Sequence, residues 1–145
     1  MISLLKAYLV FYLIGIIFFS QISYANQLPN IPRAIFTTGI VDREPIDQVL
    51  VLNNKQKNIF FFTELRHFDG QTIIHKWIYN DKVESIVRFE VKGPRWRIYS
   101  LKEIKPLQLG KWTVFIQDES GRVVKASVFR LVDEGSQQMI LPLDD

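Results

Sequence analysis

Residues 59–80 constrain the fold more than any other stretch of this chain. They read I-F-F-F-T-E-L-R-H-F-D-G-Q-T-I-I-H-K-W-I-Y-N, two apolar runs of aromatic and β-branched residues around Asp69-Gly70. β-Branched and aromatic side chains favour the pleated strand, and Asp-Gly is a strong turn signal. Consecutive phenylalanines at 60, 61 and 62 put bulk on both faces, as in a centrally buried strand. The same stretch holds both histidines, His67 and His75, and Trp77, one of three tryptophans.

The rest of the chain repeats the strand signal. Residues 83–91 alternate, with Val83, Ser85, Val87, Phe89 and Val91 on one face and Glu84, Arg88 and Glu90 on the other; Ile86 is the exception. Residues 95–101 set Arg95, Arg97 and Tyr99 against Trp96, Ile98 and Ser100. Residues 110–118 and 122–132 form two more runs around a Glu119-Ser120-Gly121 turn. Residues 33–41 read as the first strand and 46–52 as a short strand or half-turn. The pattern predicts about seven strands with turn signals roughly every 8–12 residues and no useful helical period. The fold expected is an all-β, immunoglobulin-like antiparallel sandwich. Whether 59–66 and 72–80 pair as a hairpin or sit in opposite sheets stays open.

The N-terminal 25 residues read as an export signal. Lys6 supplies a basic start, and residues 7–19 are an unbroken apolar run of 13 residues. That is short of the ~20 a membrane span needs. Ser23-Tyr24-Ala25 then offers small residues on either side of a cleavage site before Asn26. The expected organisation is a signal at 1–25, a linker at 26–32 containing Pro29 and Pro32, the β domain at 33–132, and a loose acidic tail at 133–145. Export places the product in the periplasm or outside the cell, with membrane contact only during export.

Several classes of function are excluded or disfavoured by composition. The chain has no cysteine, which removes disulfides, thiol catalysis, cysteine–zinc sites and a lipoprotein anchor. Without Lys6 there are 17 basic against 15 acidic residues. So small an excess argues against a nucleic-acid partner. No phosphate loop, nucleophile elbow or metal-ligand spacing is present, and no cofactor is expected.

Four motifs carry possible chemistry. If 59–66 and 72–80 pair around a two-residue turn, Glu64 faces His75 and a carboxylate beside an imidazole makes an acid–base pair. His67 falls on the other face, so a third metal ligand is missing; a structural ion pair is the plain alternative. Arg95-Trp96-Arg97 offers two guanidiniums on one strand face, suited to a carboxylate, phosphate or acidic sugar, with Trp96 as a stacking anchor if it faces outward. Asp42-Arg43-Glu44-Pro45 is either a recognition tip or a self-contained salt-bridged turn. The aromatic run 60–62 is either centrally buried or partly a binding surface.

V-D-R-E-P at 41–45, F-F-T-E-L-R at 61–66, G-Q-T at 70–72, H-K-W at 75–77, G-P-R-W-R at 93–97 and G-K-W-T-V at 110–114 occur in order. Together they resemble the domain family DUF2914, over nearly all of 33–131. The resemblance implies a bacterial domain, usually exported or tied to membrane segments, with no assigned activity. No catalytic residue carries over, because none is defined.

These features lead to a non-catalytic envelope domain that binds a protein or an anionic glycan through Arg66, His75, Arg95, Trp96 and Arg97. The alternative is a hydrolase-type enzyme on an envelope polymer, using Glu64 and His75. A third possibility is assembly through an exposed edge strand. An exported chain cut after Ala25 begins at Asn26; N-terminal sequencing of the protein from the envelope fraction checks this, and an intact Met1 contradicts it.

Overall fold

A computed structural model describes residues 27–143; the expected export signal lies outside them. Eleven strands follow in chain order. They are β1 (Asn30–Thr37), β2 (Ile40–Val41), β3 (Glu44–Pro45), β4 (Asp47–Asn53), β5 (Asn58–Arg66), β6 (Thr72–Tyr79), β7 (Lys82–Glu90), β8 (Arg95–Glu103), β9 (Gly110–Asp118), β10 (Val123–Val132) and β11 (Met139–Pro142).

The all-β class holds. The connectivity differs from the expected immunoglobulin-like pair of separate sheets. Hydrogen bonding runs through a single nine-stranded sheet, in the order β7-β6-β9-β10-β4-β1-β5-β8, with β11 added to β4. The sheet curls until its two end strands approach, so β1-β5-β8 faces β6-β9-β10 across the core. Strand β4 makes the join. It pairs in parallel with β10 at Arg130↔Val51 and antiparallel with β1 at Phe36↔Val49. At the open edge, Lys102 of β8 reaches Glu84 of β7 at 3.6 Å.

Period two fills the interior. Ile59, Phe61 and Leu65 of β5 point inward, as do Trp77 of β6, Trp112, Val114 and Ile116 of β9, and Phe129 and Leu131 of β10. Their rings join the two halves. Phe36 lies 4.7 Å from Phe129 and 5.8 Å from Trp77, and Phe61 lies 6.3 Å from Trp77, in tilted or edge-on contacts. Such geometry adds roughly 0.5–1.5 kcal/mol per pair beyond area burial.

The Asp69-Gly70 turn does not make a hairpin. β5 pairs with β1 and β8, while β6 pairs with β7 and β9. The loop between them crosses from one half to the other. Its backbone donors are taken by the 91–94 segment, with His67 N–H to Pro94 O at 2.8 Å and Gly70 N–H to Val91 O at 2.9 Å. The true two-residue hairpin turns are Asn80-Asp81 and Asp42-Arg43, whose central residues all have positive φ.

Two boundaries and one strand face differ from expectation. β1 starts at Asn30, inside the expected linker. The expected loose tail instead supplies β11, in which residues 139–142 pair antiparallel with residues 47–51 of β4. Val83 is 49% exposed, against its expected inward face. A register shift between Trp77 and Ile78 changes the parity of β7 there.

The core contains one polar pin. His75 is fully buried, with Nε2 3.0 Å from Thr63 Oγ1 and Nδ1 2.9 Å from Ser100 Oγ, which also accepts from Trp77 Nε1–H at 3.0 Å. Each ring nitrogen thus has one hydroxyl partner, which a neutral imidazole satisfies with one donor and one acceptor. The bonds tie β5, β6 and β8 together.

Burial pushes the His75 pKa down to about 3 from 6.5. The folded protein therefore keeps His75 neutral, while the unfolded chain binds a proton near 6.5. Stability from this site is complete above 6.5 and is lost as pH falls toward 3, by up to about 1.4 kcal/mol per pH unit. Urea unfolding at about pH 7 and about pH 5 checks this. A loss that is much smaller in His75→Gln supports the pin, and equal losses in both proteins contradict it.

Candidate functional site

The outer face of β1-β5-β8 carries a cluster of guanidiniums around two carboxylates. β-Sheet alternation sends Phe62, Glu64 and Arg66 of β5 outward when Phe61, Thr63 and Leu65 point in. The ladders then place Arg33, Glu64 and Arg97 on one rung across three strands. On the next same-face rung, Arg66 lies directly opposite Arg95.

Glu64 is 3% exposed on this face, and its side chain is fully engaged. Oε2 accepts from Arg33 Nε at 2.9 Å and lies 2.8 Å from Arg33 Nη2. Oε1 lies 2.6 Å from Arg66 Nη2 and accepts from Arg95 Nε at 3.2 Å. Burial alone would raise this carboxyl; the Arg33 hydrogen bond and charge, with Arg66 and Arg95, outweigh it and hold the pKa below its ordinary 4.5.

The second carboxylate comes from the β2–β3 hairpin, which lies over this face. Glu44 Oε2 is 2.8 Å from Arg33 Nη2, and Oε1 is 2.9 Å from Arg97 Nη2. The hairpin is tied down at its base by Asp47, whose carboxylate accepts from Thr37 Oγ1 and Thr38 N–H at 2.8 Å each and from the Thr38 hydroxyl. Its tip sets the Arg43 guanidinium 5.9 Å from the Trp96 ring centroid. The D-R-E-P motif is thus a salt-bridged arm, and the partners of Glu44 lie on β1 and β8 rather than within its own turn.

Arg33 has a second contact, 4.9 Å from the Phe62 ring centroid. This explains how the third phenylalanine of the run is fully buried on the outer side of the sheet: a guanidinium covers it.

Of the expected binding residues, Arg66, Arg95 and Arg97 come together here. His75 does not; it is on the inner face of β6, inside the core. Glu64 and His75 therefore lie on opposite sides of the sheet, and the expected acid–base pair is not formed. The hairpin register that would have joined them does not occur, because β5 and β6 are in different halves. Trp96 has the opposite strand parity from the two arginines. It is half-buried against the core and edges an open groove of about 620 Å³ with Arg88, Phe89, Glu90 and Lys92. Among the described residues, no group of three or more His, Asp or Glu is placed to hold a metal.

Arg33 and Glu44 are site residues that the local pattern missed. The only signal for Glu44 was its motif at 41–45. Arg33 becomes visible only once β1 is known to pair with β5.

Removing the Glu64 charge leaves Arg33, Arg66 and Arg95 facing one another. A fully buried pair broken this way costs about 3–5 kcal/mol. These arginines keep a third to a half of their side chains in water. Solvent screening therefore reduces the expected cost of Glu64→Gln to roughly 1–3 kcal/mol. Chemical denaturation at neutral pH measures it, and an unchanged midpoint contradicts the cluster.

No curated protein matches the chain. A family model described as "Protein of unknown function (DUF2914)" matches residues 70–131. That span includes the G-Q-T, H-K-W, G-P-R-W-R and G-K-W-T-V motifs, while V-D-R-E-P and F-F-T-E-L-R lie before it. Over residues 70–131, from the loop before β6 into β10, the chain matches the DUF2914 family model, the same family that its motifs resemble.

Proposed function

We propose that this protein is an exported, non-catalytic recognition domain of the bacterial cell envelope, binding an anionic group on a protein or glycan partner. The observation that carries the reading is the charge count of the β1-β5-β8 face. Four guanidiniums, from Arg33, Arg66, Arg95 and Arg97, surround two carboxylates. The cluster is left with an excess of two positive charges on the sheet.

Arginine forks suit planar and tetrahedral oxyanions, and their rigidity limits the entropy lost on binding. The arginines are fixed from below by Glu64 and from the side by Glu44, so the donors are preorganised. Export is part of the same reading; its support is the apolar run at 7–19 followed by Ser23-Tyr24-Ala25. The family supplies no activity that would favour an enzyme.

Arg95→Ala with Arg97→Ala is expected to abolish capture of the partner from crosslinked cells while leaving the circular dichroism unchanged. Undiminished capture by the folded double variant contradicts the assignment of this face.

A further inference from the structure

We infer that the anion taken by this face is a phosphate monoester in its dianionic form, seated on Arg66, Arg95 and Arg97; this rests on the recognition reading above and gives it a ligand class.

The charge excess is the first reason. Two unneutralised guanidinium charges match a dianion, whereas a single carboxylate leaves one charge over. The second reason is the Arg66–Arg95 rung. Like charges directly opposite in a β-ladder are destabilising. Here the two guanidiniums share a single oxygen, Oε1 of Glu64, at 2.6 and 3.2 Å. Arg66 contacts it through one terminal nitrogen and Arg95 through Nε. Among the described residues, the terminal nitrogens of Arg95 make no hydrogen bond or ion pair. Arg95 is also the most exposed guanidinium of the cluster, with 52% of its side chain accessible.

The third reason is independent of charge. Arg97 Nε is buried and has no hydrogen-bond partner among the described residues. Native proteins rarely leave a buried donor unused, and an unmade bond to a charged group is costly. Arg97 is two residues from Arg95 on the same strand face, about 6–7 Å along β8 and within reach of one small anion.

Arg66, Arg95 and Arg97, adjacent on one sheet face, can then offer donors to one anion. A carboxylate offers two oxygens in one plane, which a single arginine fork satisfies. A phosphate monoester offers three terminal oxygens pointing in different directions, one for each guanidinium. The next residue on this face is Tyr99, 42% exposed, so the alcohol portion of the ester would lie over a tyrosine ring. That portion can come from a lipid headgroup or a phosphorylated sugar; the phosphate chemistry is common to both.

The test follows the arginine Nε–Hε resonances of the folded protein during titration. The probes are inorganic phosphate, a hexose phosphate and acetate, at a pH above the second phosphate pKa of about 6. Both phosphates are expected to shift the Arg66, Arg95 and Arg97 signals saturably. Acetate should bind at least about tenfold more weakly, and phosphate binding should weaken below about pH 6 as the dianion is protonated. Arg95→Gln and Arg66→Gln should each weaken phosphate binding about tenfold or more, and Arg122→Gln, at the β9–β10 turn, should not. Sedimentation with phosphatidylcholine vesicles, with or without phosphatidic acid, separates the sources. Capture only by vesicles assigns a lipid phosphate, and binding of the hexose phosphate alone assigns a sugar phosphate. Acetate binding as tightly as phosphate overturns the phosphate assignment and leaves the arginine face as an anion site. If no small anion moves these signals while Arg95→Ala with Arg97→Ala still loses its cellular partner, the phosphate inference fails and the recognition reading stands. If neither effect is seen, both fail.

Discussion

A carboxylate that is almost wholly out of water on the outer side of a β-sheet has to be neutralised in place, and Glu64 is neutralised by arginines from three adjacent strands. Desolvating that charge without partners would cost several kcal/mol. The register of β1, β5 and β8 meets the requirement: it sets Arg33 opposite Glu64 and Arg66 opposite Arg95 on the next same-face rung. The β2–β3 arm adds Glu44, which completes the charge pattern between Arg33 and Arg97. A shift of one residue in β5 would turn Glu64 into the aromatic core and Phe61 out to solvent.

Strand β5 therefore holds two separate polar systems on its two faces. Inside, Thr63 bonds His75, and the hydroxyl of Ser100 links His75 to Trp77. Outside, Glu64 gathers guanidiniums. The inner system is neutral and closed, with its imidazole shielded by Phe61 and Phe89 at 4.9 Å each. The outer system is charged and open, with arginines that keep much of their surface in water. The first specifies how the halves of the sheet pack, and the second is what the molecule presents to its surroundings.

The strands were legible in the sequence because 59–66 and 72–80 are dense in aromatic and β-branched residues and period two is strong in 83–91 and 95–101. Arg95 and Arg97 on one face were also legible from parity, and Arg66 was grouped with them, together with His75 and Trp96. Long-range pairing was not. The Asp69-Gly70 turn suggested a local hairpin, yet its backbone donors are spent on Pro94 and Val91, and the chain crosses the core instead. That crossing is why His75 went from a surface candidate to a buried pin. Arg33 escaped notice for the same reason, and the Glu44 motif was visible without its partners, since only the β1–β5 ladder and the folded-over arm bring Arg33 to Glu64 and Glu44 to Arg33 and Arg97. The tail was misjudged because three apolar residues carry too little period to announce a strand until residues 47–51 of β4 are there to receive them.

The most direct measurement is a carbon-detected NMR titration of the Glu64 carboxyl in the folded protein. Guanidiniums gathered around a buried carboxylate predict a midpoint below the ordinary value of 4.5. A midpoint at or above 4.5 would mean that burial outweighs the arginines, and the charged face described here would not exist.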